Sequence, residues 1–192
     1  AISSGKFGNI VTISSRRVSS FPNRIRDVGV IMDLAIHDID VIRYLVGSSI
    51  VSVYARGGMM INPKYEDHAN IMVEFENGTL GLVEVNWLTP MKVRKVSLTC
   101  SNGYAQMDYM DQSLEFSTAQ FDELDLSNLS HIPMELDTHH FMVKKTEPLK
   151  RELEAFVNAA SSSSKAEVDG WDAMKNLGVC AAALNSLTSL KR

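Results

Sequence analysis

The sequence predicts an α+β domain, a mostly antiparallel and open-faced sheet with helices packed on one face. Seven or eight β-rich runs are joined largely by turn signals, Asn77-Gly78 and Asn102-Gly103 among them. Asn-Gly between two such runs is the strongest short-range hairpin signal a sequence offers. Helical periodicity is confined to one early stretch and two late ones. No regular strand–helix–strand alternation occurs, which argues against a doubly wound sheet. At 192 residues the chain fits a single domain, 1–192, with a sizeable core.

Lys6 to Ser19 reads as the first strand, rich in Ile, Val, Ser and Thr. Arg16 and Arg17 near its end, with Arg24 and Arg26 in the link that follows, put four arginines within eleven residues. Such a group either holds an anion or pairs with nearby acids. Asp27 to Gly47 then reads as a helix of roughly 16–18 residues, with Gly47 as its stop. At 100° per residue, Asp33, His37, Asp40 and Tyr44 share an arc of about 60°. Ile31, Leu34, Ala35, Ile39, Val41, Ile42, Leu45 and Val46 cover the wider opposite arc. Asp38 projects into the middle of that apolar arc and calls for a buried partner such as an arginine.

The polar stripe is a carboxylate–imidazole–carboxylate ladder at i,i+4 and i,i+3 spacing, within side-chain reach on a helix. A carboxylate beside an imidazole fixes its tautomer and raises its pKa, which suits a general acid/base near neutral pH. The plainer alternative is a solvated row of charges. Against it, the stripe has no Lys or Glu, the usual residues of an exposed helix face.

Beyond the helix, Ile50 to Met60 is a second strand, and Ala69 to Phe75 with Leu80 to Leu88 form a hairpin around Glu76-Asn77-Gly78-Thr79. Val93 to Cys100 and Tyr104 to Tyr109 repeat the pattern, and Ser113 to Ser117 adds a short strand. Residues 120–133 lack a clean period and read as an irregular excursion. Met134 to Val143 is a further strand, whose adjacent His139 and His140 point to opposite faces and do not readily share a metal. Pro148 opens a helix with the stripe Leu149, Leu153, Phe156, Val157 and Ala160. Ser161 to Ser164 interrupts it, and Trp171 to about Thr188 is the last helix, with Trp171, Met174, Leu177, Ala181 and Leu184 as its packed stripe.

Composition narrows the function. Hydrophobic residues make up 45% and charged residues 22%, ordinary for a globular protein. A net charge of −4 disfavours nucleic acid as a partner. No apolar run approaches a membrane span, and no signal-peptide pattern opens the chain. Cys100 and Cys180 stand in apolar surroundings without metal-ligand spacing and read as buried thiols, so the cytoplasm is the expected compartment. The start at Ala1, without an initiator methionine, suggests part of a longer protein.

Taken together, the motifs resemble a known family. Gly29-Val30-Ile31-Met32-Asp33-Leu34-Ala35-Ile36-His37-Asp38-Ile39-Asp40 is similar to the second-domain signature of the Gfo/Idh/MocA oxidoreductases, which include glucose–fructose oxidoreductase and inositol 2-dehydrogenase. Gly5 to Ile10, Glu66-Asp67-His68-Ala69, Asn77-Gly78, Asn86 to Pro90 with Lys92 and Arg94, and Glu147-Pro148-Leu149 follow in the family's order. Arg24 to Val30 most resembles enzymes that oxidise the 3-hydroxyl of UDP-N-acetylglucosamine-type sugars.

The resemblance implies the substrate-binding and oligomerisation domain of an NAD(P)-dependent dehydrogenase acting on a sugar or nucleotide sugar. In that family NAD or NADP sits mainly on an N-terminal Rossmann domain, and the second domain's open sheet carries homo-oligomer contacts. The GxGxxG fingerprint and the Glu-Lys-Pro motif are absent here, so no residue of this chain is assigned to the cofactor, and the chain by itself is expected to be inactive. By the same resemblance His37 is the acid/base, Asp33 bonds both it and the substrate hydroxyl, and Asp40 supports from behind. Arg17, Arg24 and Lys92 are candidate substrate contacts, suited to a sugar diphosphate. Two other readings stand beside this one. In one, Asp33, His37 and Asp40 ligate a metal in a hydrolase; in the other, the sheet serves only as a dimerisation scaffold.

Overall fold

The computed structural model describes residues 2, 5–22, 27–121, 134–143, 145–166 and 168–189. Eight strands run in chain order as β1 (Ile10–Ser20), β2 (Ile50–Gly58), β3 (His68–Phe75), β4 (Leu80–Asn86), β5 (Leu88–Cys100), β6 (Gly103–Asp108), β7 (Ser113–Phe121) and β8 (Met134–Met142). A π-helical turn, Ile31–Ala35, runs straight into α1 (Ile36–Val46); α2 (Pro148–Ser162) and α3 (Gly170–Ser189) follow late. The α+β expectation holds. One sheet has the order β2-β3-β4-β1-β5-β6-β7-β8. Every neighbouring pair is antiparallel except β1 and β4, which run parallel because α1, β2 and β3 intervene between them.

The turn residues do what their chemistry predicts. Gly78, at φ +84°, closes the β3–β4 hairpin, where the Phe75 N–H donates to the Thr79 carbonyl at 2.9 Å. Gly47, at φ +66°, ends α1 in the left-handed conformation, its N–H donating to the Arg43 carbonyl at 2.9 Å. The first strand starts at Ile10 rather than Lys6, and β7 runs on to Phe121, beyond the Ser117 expected. Most of the excursion expected at 120–133 lies outside the described residues.

Strand alternation separates two faces. Ile13 of β1, Ala69, Ile71, Val73 and Phe75 of β3, Val83 and Val85 of β4, and Val96 and Leu98 of β5 all point one way and are buried. Ile31, Ala35, Ile39 and Ile42 from the π turn and α1 pack onto them in one continuous core. Burial of this apolar surface is the main driving force for the fold.

Two of the three helices cover that face. The stripe buried by α3 differs from the one its large residues suggest: Asn176, Cys180 and Ala183 are buried, whereas Trp171 is 69% and Met174 56% exposed. Small side chains let α3 approach β2 and α1 closely, and the polar Asn176 is tolerated because it is hydrogen-bonded. In α2 no residue is buried, and Leu149, Leu153, Phe156 and Val157 lie more than half exposed. Periodicity identified this apolar stripe correctly but says nothing of what covers it.

Replacing Ile39 by Ala removes a fully buried side chain from under the helix. The expected cost is about 2–5 kcal/mol, read as a lower urea midpoint at unchanged slope.

Candidate functional site

The site is built around the start of the helix that carries Asp33 and His37. The first N–H groups of a helix have no partner within it. Here Glu66, just before β3, supplies two: its carbonyl accepts from the Val30 N–H at 3.0 Å and its Oε1 from the Ile31 N–H at 3.1 Å. A carboxylate at this end also matches the helix dipole. Gly29 makes room for it, since a Cβ there would sit 2.1 Å from the Glu66 carboxyl group. The next residue, Asp67, is buried, and its Oδ2 accepts the N–H groups of Met60, Ile61 and Asn62 at 2.6–2.9 Å. Its Oδ1 lies 2.9 Å from His68 Nδ1. Burial pushes the Asp67 carboxyl up, but these backbone donors and His68 outweigh it and bring it down to about 2. Glu66 and Asp67 thus tie the helix start and the loop after β2 to one point.

His37, the predicted acid/base, stands exposed on α1, while Asp33 is half-buried in the π turn. No hydrogen bond joins the acid to the ring, and among the described residues the imidazole makes none. The expected contact assumed one continuous α-helix. Asp33 instead sits in a turn with i→i+5 closure, where the Ile36 N–H reaches the Ile31 carbonyl, so the regular i,i+4 geometry does not apply.

Asp38 has the buried partner its position called for. It is 2% exposed and accepts from Ser15 Oγ and Arg17 Nε, both at 2.5 Å, and from a second Arg17 nitrogen at 3.4 Å. Arg17, expected at the substrate, therefore commits two of its three guanidinium nitrogens to Asp38. Asp40 turns away from His37 and accepts from Asn176 Nδ2 at 2.7 Å, and Arg43 bonds the same Asn176 and the Asp172 carbonyl. That network ties α1 to α3. Asp40 and His37 accordingly do not converge on one point, and among the described residues no three His, Cys, Asp or Glu side chains are arranged to hold a metal ion.

Of the four-arginine group, the two described members, Arg16 and Arg17, are not assembled as a unit. Arg16 points to the open face and pairs with Glu84 at 2.9 Å, opposite to Arg17. Arg24 and Arg26 lie outside the described residues. Lys92 is exposed near the start of β5. Arg94, further along β5, is half-buried and directly opposite Arg17 in the β1–β5 register. Sequence reasoning passed over Glu66 as a helix cap and Arg94 as a site residue; its only signal for either was membership of a motif. His139 and His140 do point to opposite faces, opposite Phe116 and Glu115 respectively.

A family model for the GFO/IDH/MocA C-terminal domain matches residues 1–106. The chain belongs to the GFO/IDH/MocA family. Among its relatives, the UDP-N-acetylglucosamine 3-dehydrogenase of Acidithiobacillus ferrooxidans is 28% identical over 85% of this chain and 50% of its own length. Inositol 2-dehydrogenase 2 of Saccharopolyspora erythraea is 25% identical over 98% of the chain and 53% of its own length. The chain spans about half the length of the curated relatives it matches. The structure of the Acidithiobacillus enzyme superposes with a TM-score of 0.85 at 23% identity, covering 100% of this chain and 59% of that one. WlbA dehydrogenase from Bordetella pertussis, determined with NADH and UDP-GlcNAcA, gives 0.71 at 20% identity over 98% and 55%.

Asp38→Ala leaves the Arg17 charge buried without its counter-ion and is expected to cost about 3–5 kcal/mol in chemical denaturation. Asp67 titrates below its ordinary 3.8 in the folded chain, so its contribution is complete above that value and is lost as pH falls toward 2. Roughly 2 kcal/mol of stability is expected to disappear across that window. In Asp67→Asn the same denaturation series should be flatter with pH.

Proposed function

We propose that this chain is the substrate-binding and proton-handling half of an NAD(P)-dependent dehydrogenase acting on a secondary hydroxyl of a sugar or nucleotide sugar. The observation that carries the reading is His37 itself: an exposed imidazole on a helix whose start is held by Glu66 and whose rotation is held by Asp38. Family membership and sugar-dehydrogenase relatives support it. No GxGxxG follows a strand, so this reading assigns no dinucleotide site to the chain. In this reading NAD or NADP belongs to an N-terminal Rossmann domain, and a bound nicotinamide supplies the hydride acceptor.

The work of this chain is on the proton. His37, as the neutral imidazole, takes the hydroxyl proton of the carbon being oxidised and returns it in the reverse direction. Asp33, one turn before it, orients the hydroxyl and comes to the ring when the substrate is present. Catalytic hydrogen bonds of this kind are often long or unmade in ligand-free structures and tighten in the complex. Lys92 and Arg24 remain substrate contacts in this reading. The buried free thiols Cys100 and Cys180 support a cytoplasmic location.

The open sheet face is assigned to a second copy of the chain. Tyr54, Met72 and Leu82 lie in register across β2, β3 and β4, at 42%, 45% and 52% exposure, an apolar row that no helix among the described residues covers.

In the full-length protein, His37→Ala is expected to lower kcat by 10²–10⁴-fold, about the contribution of a general base, with nicotinamide cofactor binding unchanged by fluorescence. Unchanged turnover removes His37 from the mechanism. Leu82→Glu is expected to shift the protein to a smaller species in sedimentation velocity; an unaltered sedimentation coefficient argues against this face.

A further inference from the structure

Antiparallel pairing of β1 and β5 places Arg17 directly opposite Arg94, on the side of the sheet that α1 covers. Like charges facing each other across a ladder destabilise it. One carboxylate is set against both. Asp38 already accepts from Ser15 and twice from Arg17. The Arg94 side chain makes no hydrogen bond or ion pair among the described residues, although it is half-buried. Burial and the Arg17 charge both push Arg94 down, with Asp38 opposing. The arrangement is one cation in excess, with the Arg94 guanidinium open to a partner from outside.

Tyr109 completes the group. Its N–H donates to the Arg94 carbonyl at 3.0 Å, and its side chain is 37% exposed. Burial, and then Asp38, push the phenol up to about 12 against the opposing Arg17, so at neutral pH it is a hydrogen-bond donor. Arg94 and Tyr109 are therefore neighbours whose side chains both sense Asp38, neither has a hydrogen-bond acceptor among the described residues, and Asp38 follows His37 directly in the chain.

We propose that Arg94 and Tyr109 receive an oxyanion carried by the substrate, a phosphate or carboxylate, beside the reacting hydroxyl. A guanidinium presents a planar fork that matches two oxygens of such a group. The bound anion supplies the second negative charge that the Arg17–Arg94 pair lacks. This deepens the dehydrogenase reading by selecting anionic sugars, either nucleotide sugars or sugar acids, over neutral polyols. It rests on that reading only for the placing of the anion in a substrate.

The test is isothermal titration calorimetry on the full-length protein with UDP, pyrophosphate, glucuronate and myo-inositol. Arg94→Gln is expected to weaken at least one anion by roughly tenfold or more while leaving myo-inositol unaffected. Loss confined to UDP and pyrophosphate identifies a diphosphate, and loss confined to glucuronate identifies a sugar carboxylate. Tyr109→Phe should give a smaller loss for the same probe. Arg94→Lys keeps the charge but not the fork, and should bind that probe several-fold more weakly than the parent. Should Arg94→Gln fail to fold, Arg94→Lys decides alone, and parental affinity in it overturns the proposal. Equal anion affinity in the parent and Arg94→Gln overturns it, as does a parent that binds none of the three anions. His37→Ala should retain parental anion affinity. Full turnover in His37→Ala together with lost anion binding in Arg94→Gln sinks the acid/base reading and leaves the anion site standing.

Discussion

The contact on which the rest depends is the buried bond of Asp38 to Arg17 and Ser15. It joins α1 to β1 through a carboxylate that is 2% exposed. An ionised carboxylate this deep is stable only when its oxygens are met by charge and hydrogen-bond donors. Only one rotation of α1 about its axis brings Asp38 over Ser15 and Arg17. That rotation presses Ile39 and Ile42 into the core and leaves His37, one residue earlier, facing out. Apolar packing alone tolerates some sliding of a helix on a sheet. A buried ion pair with a specific acceptor geometry tolerates much less.

A second clamp sets where that helix begins. Glu66 and Asp67 are consecutive, yet they face different duties: one holds the N–H groups at the helix start, the other gathers the backbone of residues 60–62. Between these anchors the chain takes a π turn, a geometry less favourable than the α-helix and recurrent at functional sites. Asp33 lies inside that turn. The backbone that carries it is therefore placed by the clamp at Glu66 as much as by helical winding.

The sheet divides its labour by face. The side under α1 carries the core, the Asp38 contact and Arg94, whose side chain is unpaired among the described residues. The other side carries Arg16 with Glu84 and the exposed row of Tyr54, Met72 and Leu82. Because strand residues alternate, adjacent positions serve separate purposes, and Arg16 and Arg17 illustrate it: one residue apart, they answer acids on opposite sides of the sheet.

What the sequence by itself determined was local. Hairpin positions followed from Asn77-Gly78 and Asn102-Gly103, a helix within Asp27 to Gly47 from its apolar period, and its stop from Gly47, whereas its start at Ile31 and the π turn there did not. That Asp38 calls for a buried partner was legible, because a charge in the middle of an apolar arc has to be paired; its role was not. Tertiary structure alone decided which arginine that partner was, that Arg94 stands across from it 77 positions along the chain (94 minus 17), and that Glu66 caps a helix starting 35 residues before it. It also decided that α3 buries Asn176, Cys180 and Ala183 in place of its largest side chains. The physical reason is the range of the information. Periodicity and turn chemistry are read within a few neighbours, whereas strand register and ion pairing are settled between segments that meet only once the sheet has closed up.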